Sequence, residues 1–262
     1  MVGKTKSSIF FTVLLLFFSI AYCSLLQKEA DPIEMTVGES KQAIVEQDAY
    51  SYFKISQIPE LGEEDLVIQT TPLSGYVDLY VSNDPSNQNP TKDHYTWKST
   101  EVGSNYLYLN KTLAVTPLFI GVYGYQRKAQ FTIIAFVTGG HITTVDGLPQ
   151  TTRIEEHESM YYKYFLEKDG AFTISLAAVY GDPDIFVSID NEKPSASNYT
   201  WGQRDYGSDI LIITPDHPSY RHNVWYYIGI DGCTGSLFNL VVSHEDTITI
   251  FGQGVPTVDM LE

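Results

Sequence analysis

The sequence predicts an all-β protein: two tandem antiparallel β-sandwiches of jelly-roll-like form behind an N-terminal leader. Three observations carry this prediction. The chain repeats itself at a period near a hundred residues. Strand-forming residues are abundant, with 19 Tyr and 13 Phe among 262 residues. No sustained helical periodicity follows the leader.

The repeat is visible directly. Val77-Asp78-Leu79-Tyr80-Val81-Ser82 matches Pro183-Asp184-Ile185-Phe186-Val187-Ser188 at an offset of 106. Tyr95-Thr96-Trp97 matches Tyr199-Thr200-Trp201 at 104, and Phe119-Ile120-Gly121-Val122-Tyr123-Gly124 matches Tyr227-Ile228-Gly229-Ile230-Asp231-Gly232 at 108. Upstream, Tyr52-Phe53 pairs with Tyr164-Phe165 at 112. A constant order with drifting offsets is what loop insertions between fixed strands produce, and a period of this size fits whole domains rather than a solenoid.

Within the first copy, 43–45, 50–55, 66–70, 77–82, 106–109, 118–123 and 131–135 read as strands; in the second, 160–166, 171–176, 185–189, 210–213, 225–230 and 238–242 do. Val, Ile, Tyr, Phe and Thr suit a pleated, half-buried surface. Turn clusters such as Asn83-Asp84-Pro85 and Asp190-Asn191-Glu192-Lys193-Pro194 separate them, and about seven short strands punctuated this way indicate a sandwich. The expected organisation is a leader at 1–23, sandwiches at 36–138 and 148–246 joined by a short glycine-containing linker, and a tail at 247–262.

The leader has Lys4 and Lys6 before an apolar run from Ile9 to Ile20, and Ala21 and Cys23 precede a cut before Ser24. This is a secretory signal layout, and the run is short against the roughly 20 residues a spanning helix needs. No apolar segment of spanning length follows, and no hydrophobic tail calls for a glycolipid anchor. The expected location is extracellular or at the cell surface. The whole chain carries −16, and residues 1–23 hold two lysines and no acids, so the remainder carries −18. Such a polyanion excludes nucleic-acid binding and disfavours anionic membranes. The acids either attract cations and basic partners or simply form a solvated surface. Removal of Cys23 leaves Cys233 alone, so no internal disulfide forms. Cys233 is expected as a buried small hydrophobe or as a link to another chain.

The matched strands carry a resemblance. Gly181-Asp182-Pro183-Asp184-Ile185-Phe186-Val187 resembles the Gly-Asp-Pro-Asp strand of the bacterial pre-peptidase C-terminal (PPC) domain; the first copy has Tyr76 in place of the first aspartate. Leu118 to Gly124 and Tyr226 to Gly232 are similar to that family's later aromatic-aromatic-Ile-x-Val-x-Gly strand. The resemblance implies a secreted β-sandwich, often appended to a protease, with relatives that bind calcium, collagen or polysaccharide.

Catalytic motifs are missing: no His-Glu-x-x-His, no Gly-x-Ser-x-Gly, no Cys-x-x-Cys. A non-enzymatic protein is therefore expected, although a triad assembled by folding leaves no sequence signature. The candidate metal ligands are Asp182, Asp184 and Asp190, with Asp205 and Asp209 in a nearby loop. Calcium takes six to eight oxygens, and the competing reading is turn-forming acids. The candidate ligand-binding residues are Tyr95, Trp97, Tyr199 and Trp201, since exposed aromatics anchor sugars and proteins. Because they recur in both copies, a core plug competes. Asn110 and Asn198 sit in N-glycosylation sequons. The function expected is recognition of an extracellular protein or polysaccharide, with calcium as the one cofactor in view. The alternatives are an accessory subunit of a secreted hydrolase and a structural cell-surface component.

Overall fold

A computed structural model describes residues 31–244, 249–252 and 255–258, and among them there is no helix. The first repeat contributes β1 (Ile33–Glu34), β2 (Lys41–Glu46), β3 (Tyr50–Ile55), β4 (Leu66–Ser74), β5 (Val77–Ser82), β6 (Trp97–Ser99), β7 (Asn105–Leu109), β8 (Leu118–Gly124) and β9 (Lys128–Val137). The second contributes β10 (His141–Thr143), β11 (Gln150–Ile154), β12 (Ser159–Leu166), β13 (Phe172–Tyr180), β14 (Pro183–Ser188), β15 (Trp201–Gln203), β16 (Asp209–Ile213), β17 (Val224–Gly232) and β18 (Ser236–His244). A final hairpin pairs β19 (Thr249–Gly252) with β20 (Val255–Val258) inside the segment read as a tail. The segment read as a leader, Cys23 included, lies outside the described residues.

Each repeat is a jelly roll. In the first, β2 pairs with β9, β3 with β8, β4 with β7 and β5 with β6, all antiparallel. This is a long hairpin ribbon rolled into two facing sheets. The sheets run β1-β3-β8-β5-β6 and β2-β9-β4-β7, and the second repeat reproduces them as β10-β12-β17-β14-β15 and β11-β18-β13-β16. In each, one short strand joins the edge in parallel, β1 on β3 and β10 on β12. Residues 141–143, read as linker, are thus part of the second fold, because their backbone groups complete the exposed edge of β12.

Register corrects one of the sequence matches. Tyr52 stands opposite Gly121 and Tyr161 opposite Gly229, so Tyr52-Phe53-Lys54 corresponds to Tyr161-Tyr162-Lys163, not to Tyr164-Phe165. Phe53 and Tyr162 point inward and are fully buried, as a period-two strand requires.

The two sandwiches share packed surface. Leu66 and Ile68 of β4 belong to the first core, whereas Val67 between them, with Ile134 and Phe136 of β9, belongs to the same buried cluster as the second core. Tyr106 packs there too, its hydroxyl donating to the Thr151 carbonyl at 3.4 Å, and the Gln69 side-chain amide donates to the same carbonyl. Thr143 N donates to Gly38 O at 2.7 Å across the junction. The middle strands β9 and β4 of this sheet are therefore covered on both faces, which explains the unbroken burial of Leu66 to Thr71.

Candidate functional site

The other sheet of the first sandwich turns a tyrosine-rich face outward. Strand alternation puts Phe53, Ile55, Leu79, Val81, Ile120 and Val122 into the core, and so puts Tyr50, Tyr52, Asp78, Tyr80 and Tyr123 on the opposite face. Cross-strand register aligns Tyr50, Tyr123 and Asp78 in one row and Tyr52, Gly121, Tyr80 and Lys98 in the next. Tyr50 stacks on Tyr52 at 5.6 Å between centroids and tilts against Tyr123 at 5.0 Å; Tyr80 meets Tyr95 at 5.6 Å, and Tyr123 meets Tyr125 edge-on at 4.8 Å. Lys92 Nζ lies 5.0 Å from the Tyr123 ring centre and Lys98 Nζ 5.2 Å from that of Tyr95, distances at which cation–π attraction operates.

Gly121 makes room for the loop that crosses this face. A Cβ there would collide with the Pro90 carbonyl oxygen, and one at Gly229 with that of Pro194. In both copies the loop before the Tyr-Thr-Trp motif folds over the sheet at a glycine. It then returns through the matched bonds Thr96 N to Val81 O and Thr200 N to Val187 O, both 2.8 Å.

Polar groups fix the rings. Asp78 is buried, and its Oδ2 accepts from Tyr80 at 3.0 Å and from Tyr125 at 2.7 Å. Tyr123 donates to Asp48 at 2.6 Å. Burial, then the Asp78 hydrogen bond, raises the Tyr80 phenol far above its ordinary range. The Asp78 bond raises Tyr125, and the Asp48 bond raises Tyr123. These phenols stay protonated and act as donors. Tyr80 and Tyr123 are covered, while Tyr76 and Tyr125 are 51% and 49% exposed. Together with Asp78, Lys98 and Val102 they line a cleft at one end of the face.

The second copy carries different chemistry at the same places. Tyr50, Tyr123 and Asp78 become Ser159, Asp231 and Asp184; Tyr76 becomes Asp182 and Tyr125 becomes Cys233. One rim is aromatic and its counterpart is acidic.

The four predicted ligand-binding aromatics divide. Tyr95 and Tyr199 are exposed and rest on Tyr80 and Phe186. Trp97 is half-buried against the first core, and Trp201 is buried in the second, 5.6 Å from Tyr226 and 4.9 Å from His217. Trp201 is not available to a ligand, because the inward-facing position of β15 plugs the sandwich. The three predicted metal ligands also separate. Asp182 and Asp184 lie at the start of β14 and Asp190 beyond its far end. Four strand residues from Asp184 to Ser188 already span roughly 13 Å. Among the described residues, no three His, Cys, Asp or Glu side chains gather as a metal-holding group. Cys233 is exposed rather than buried, and its thiol donates to Asp184 Oδ2 at 3.3 Å. Asn110 is exposed, with Oδ1 accepting from Thr112 Oγ1 at 2.7 Å, and Asn198 is exposed as well. The tyrosines at 50, 52, 76, 80, 123 and 125 were missed. The available signal was their alternation with apolar residues in the repeated strands.

Among the described residues no helix is long and apolar enough to cross a membrane. No curated protein matches the chain. The crystal structure of the protein YhaK from Escherichia coli is similar at 8% identity and a TM-score of 0.23, over 78% of this chain and 83% of that one; so low a score carries no argument. The family model described as "UPF0669: Putative cytokine, C6ORF120" matches residues 1–138, the expected leader and the first sandwich together, a description that implies a secreted, extracellular protein. With more than half of its length matched, the chain belongs to that family.

Proposed function

We propose that the chain is a secreted, non-catalytic recognition protein that engages an extracellular protein through the tyrosine face of its first sandwich. The observation that carries this reading is the clustering of Tyr50, Tyr52, Tyr76, Tyr80, Tyr95, Tyr123 and Tyr125 around one outer sheet. Buried, hydrogen-bonded rings form a stiff base, and Tyr76, Tyr95 and Tyr125 project from it. Tyrosine contributes large contact area at low entropy cost, and such anchors dominate interface energetics. The family match ends where this sandwich ends, which supports placing the activity there. A cytokine acts by docking on a receptor, a protein partner of the kind this face suits.

Catalysis has no part in this reading. Phenols held above their ordinary range are poor bases and nucleophiles at neutral pH. Calcium has no part in it either, since Asp182 and Asp184 without Asp190 supply few of the oxygens calcium takes. A glycan on Asn198 would crowd Tyr199, leaving the first sandwich as the open face.

The test is binding of labelled residues 24–262 to cells of the source organism. Saturable binding that is lost after protease treatment of the cells, and weakened by Tyr76→Ala with Tyr125→Ala, supports the proposal. Binding that survives protease and disappears after glycosidase treatment would replace the protein partner by a glycan. Binding indifferent to both tyrosines would remove the site.

A further inference from the structure

Asp209 opens β16 and is 1% exposed. Its Oδ1 accepts the Asp205 amide at 2.9 Å, while Oδ2 is buried without a hydrogen-bond partner. Strand register identifies its counterpart in the first sandwich. Asn105 pairs with Thr70 as Asp209 pairs with Leu176, and the offset of 104 is the one that relates Trp97 to Trp201. Asn105 has partners on both its side-chain oxygen and its side-chain nitrogen. Its Oδ1 accepts from Glu101 N at 2.8 Å and Ser99 Oγ at 3.0 Å, and its Nδ2 donates to the Val77 carbonyl at 2.8 Å. The residue matching Val77 is Pro183.

An aspartate at this place substitutes an oxygen for the donating nitrogen. An ionised carboxylate only accepts, so it would set one acceptor against another in a buried site. The proton of a neutral carboxylic acid restores the missing donor. We propose that Asp209 is held as a neutral acid in the folded second sandwich, donating from Oδ2 to the Pro183 carbonyl, and that its ionisation makes this sandwich pH-responsive.

The surroundings favour the proton. Asp182 lies on the β13–β14 turn, Asp184 on β14 and Asp205 in the β15–β16 loop, and all three act on Asp209 with the same sign. Asp231 of β17 and the cation of Arg204 act on Asp184, whose carboxylate also receives the Cys233 thiol. The facing strand β13 brings no ionisable group before Tyr180. Burial first, then these neighbouring carboxylates, push the Asp209 carboxyl up to about 6, against the opposing pull of the hydrogen bond donated by the Asp205 amide.

The sign follows from linkage. A carboxyl with a folded pKa above its unfolded value of about 3.9 adds stability at low pH, and that stability is lost as pH rises from about 4 through about 6. The second sandwich is then tightest in acid and loosens toward neutrality, at the rim that also holds Asp182, Asp184 and Cys233.

The experiment is thermal unfolding of residues 24–262 between pH 4 and 7.5, in chelator and again in calcium, for the natural chain, Asp209→Asn and Asn105→Asp. Asp209→Asn restores the donor without charge. It is expected to raise the midpoint by several degrees at pH 7.5, with a smaller gain at pH 4.5. Asn105→Asp is expected to lower the midpoint at pH 7.5 and to recover part of the loss in acid. Infrared difference spectra should contain a protonated-carboxyl band that titrates near pH 6 and vanishes in Asp209→Asn. An Asp209→Asn midpoint equal to or below that of the natural chain at pH 7.5, or the absence of that band, would overturn the proposal. So would a calcium-dependent rise in the natural chain that Asp209→Asn abolishes, because a cation rather than a proton would then satisfy Oδ2.

Discussion

Asp78 holds two phenols on a single oxygen, and its counterpart Asp184 holds a thiol. Removing one phenolic donor should be measurable. A hydrogen bond to a charged group contributes about 1.5–3 kcal/mol, and half-exposure of Tyr125 places Tyr125→Phe toward the lower end, read from denaturant midpoints. At Cys233, desolvation of the sulfur and then the bond to Asp184 raise the thiol to about 11. Exposure leaves the sulfur accessible, yet the raised thiol keeps the reactive thiolate scarce at pH 7. Alkylation should therefore be slow in the natural chain and faster in Asp184→Asn, followed by mass spectrometry. A rate typical of a free thiol in the natural chain would contradict this. The exposure of Cys233 was missed: its hydrophobic character argued for burial, whereas Cys233 lies in the turn between β17 and β18. Asp209 was legible only as one of several acids, because its meaning comes from the asparagine that occupies its place in the first copy.

At the scale of elements, the repeated strands were readable because their glycines and aromatics recur in order. What the glycines do was not. Gly121 and Gly229 admit loops of different sequence across their sheets, and a loop's path leaves no periodic trace. Gly121→Ala should push the Pro90 carbonyl away and lift residues 83–96. The expected outcome is faster limited proteolysis within that loop, with the β2-β9-β4-β7 sheet still folded. Unchanged cleavage would mean the loop is held elsewhere. The tryptophans were readable as repeated but ambiguous in role. Trp201→Ala should cost about 3–5 kcal/mol as a large-to-small core change, whereas Tyr199→Ala, on the surface, should cost little. Register was the weakest point. Tyr52-Phe53 and Tyr164-Phe165 look alike as dipeptides, but only the pairing with Gly121 and Gly229 reveals that Tyr161 is the true counterpart.

Over the whole molecule, two jelly rolls share a buried surface made by Val67, Ile134 and Phe136. The sequence marked 131–135 as a strand, but neither the burial of both its faces nor the cover supplied by the second copy was read from it. One cooperative unfolding transition is expected for the natural chain, and Ile134→Glu, which buries a charge at the junction, should split it into two. The division of labour also belongs to this scale. The topology is the same twice, while the outer rim is aromatic in one copy and acidic in the other, so recognition is assigned to the first and pH response to the second. The most direct measurement of that assignment is the affinity of residues 24–262 for their cell-surface partner with Tyr76→Ala and Tyr125→Ala combined. Interface anchors cost about 2 kcal/mol or more each when truncated, so binding should weaken at least about a hundredfold while the β fold, read by circular dichroism, is retained. Affinity equal to that of the natural chain would contradict the account and move the binding surface away from the first sandwich's tyrosines.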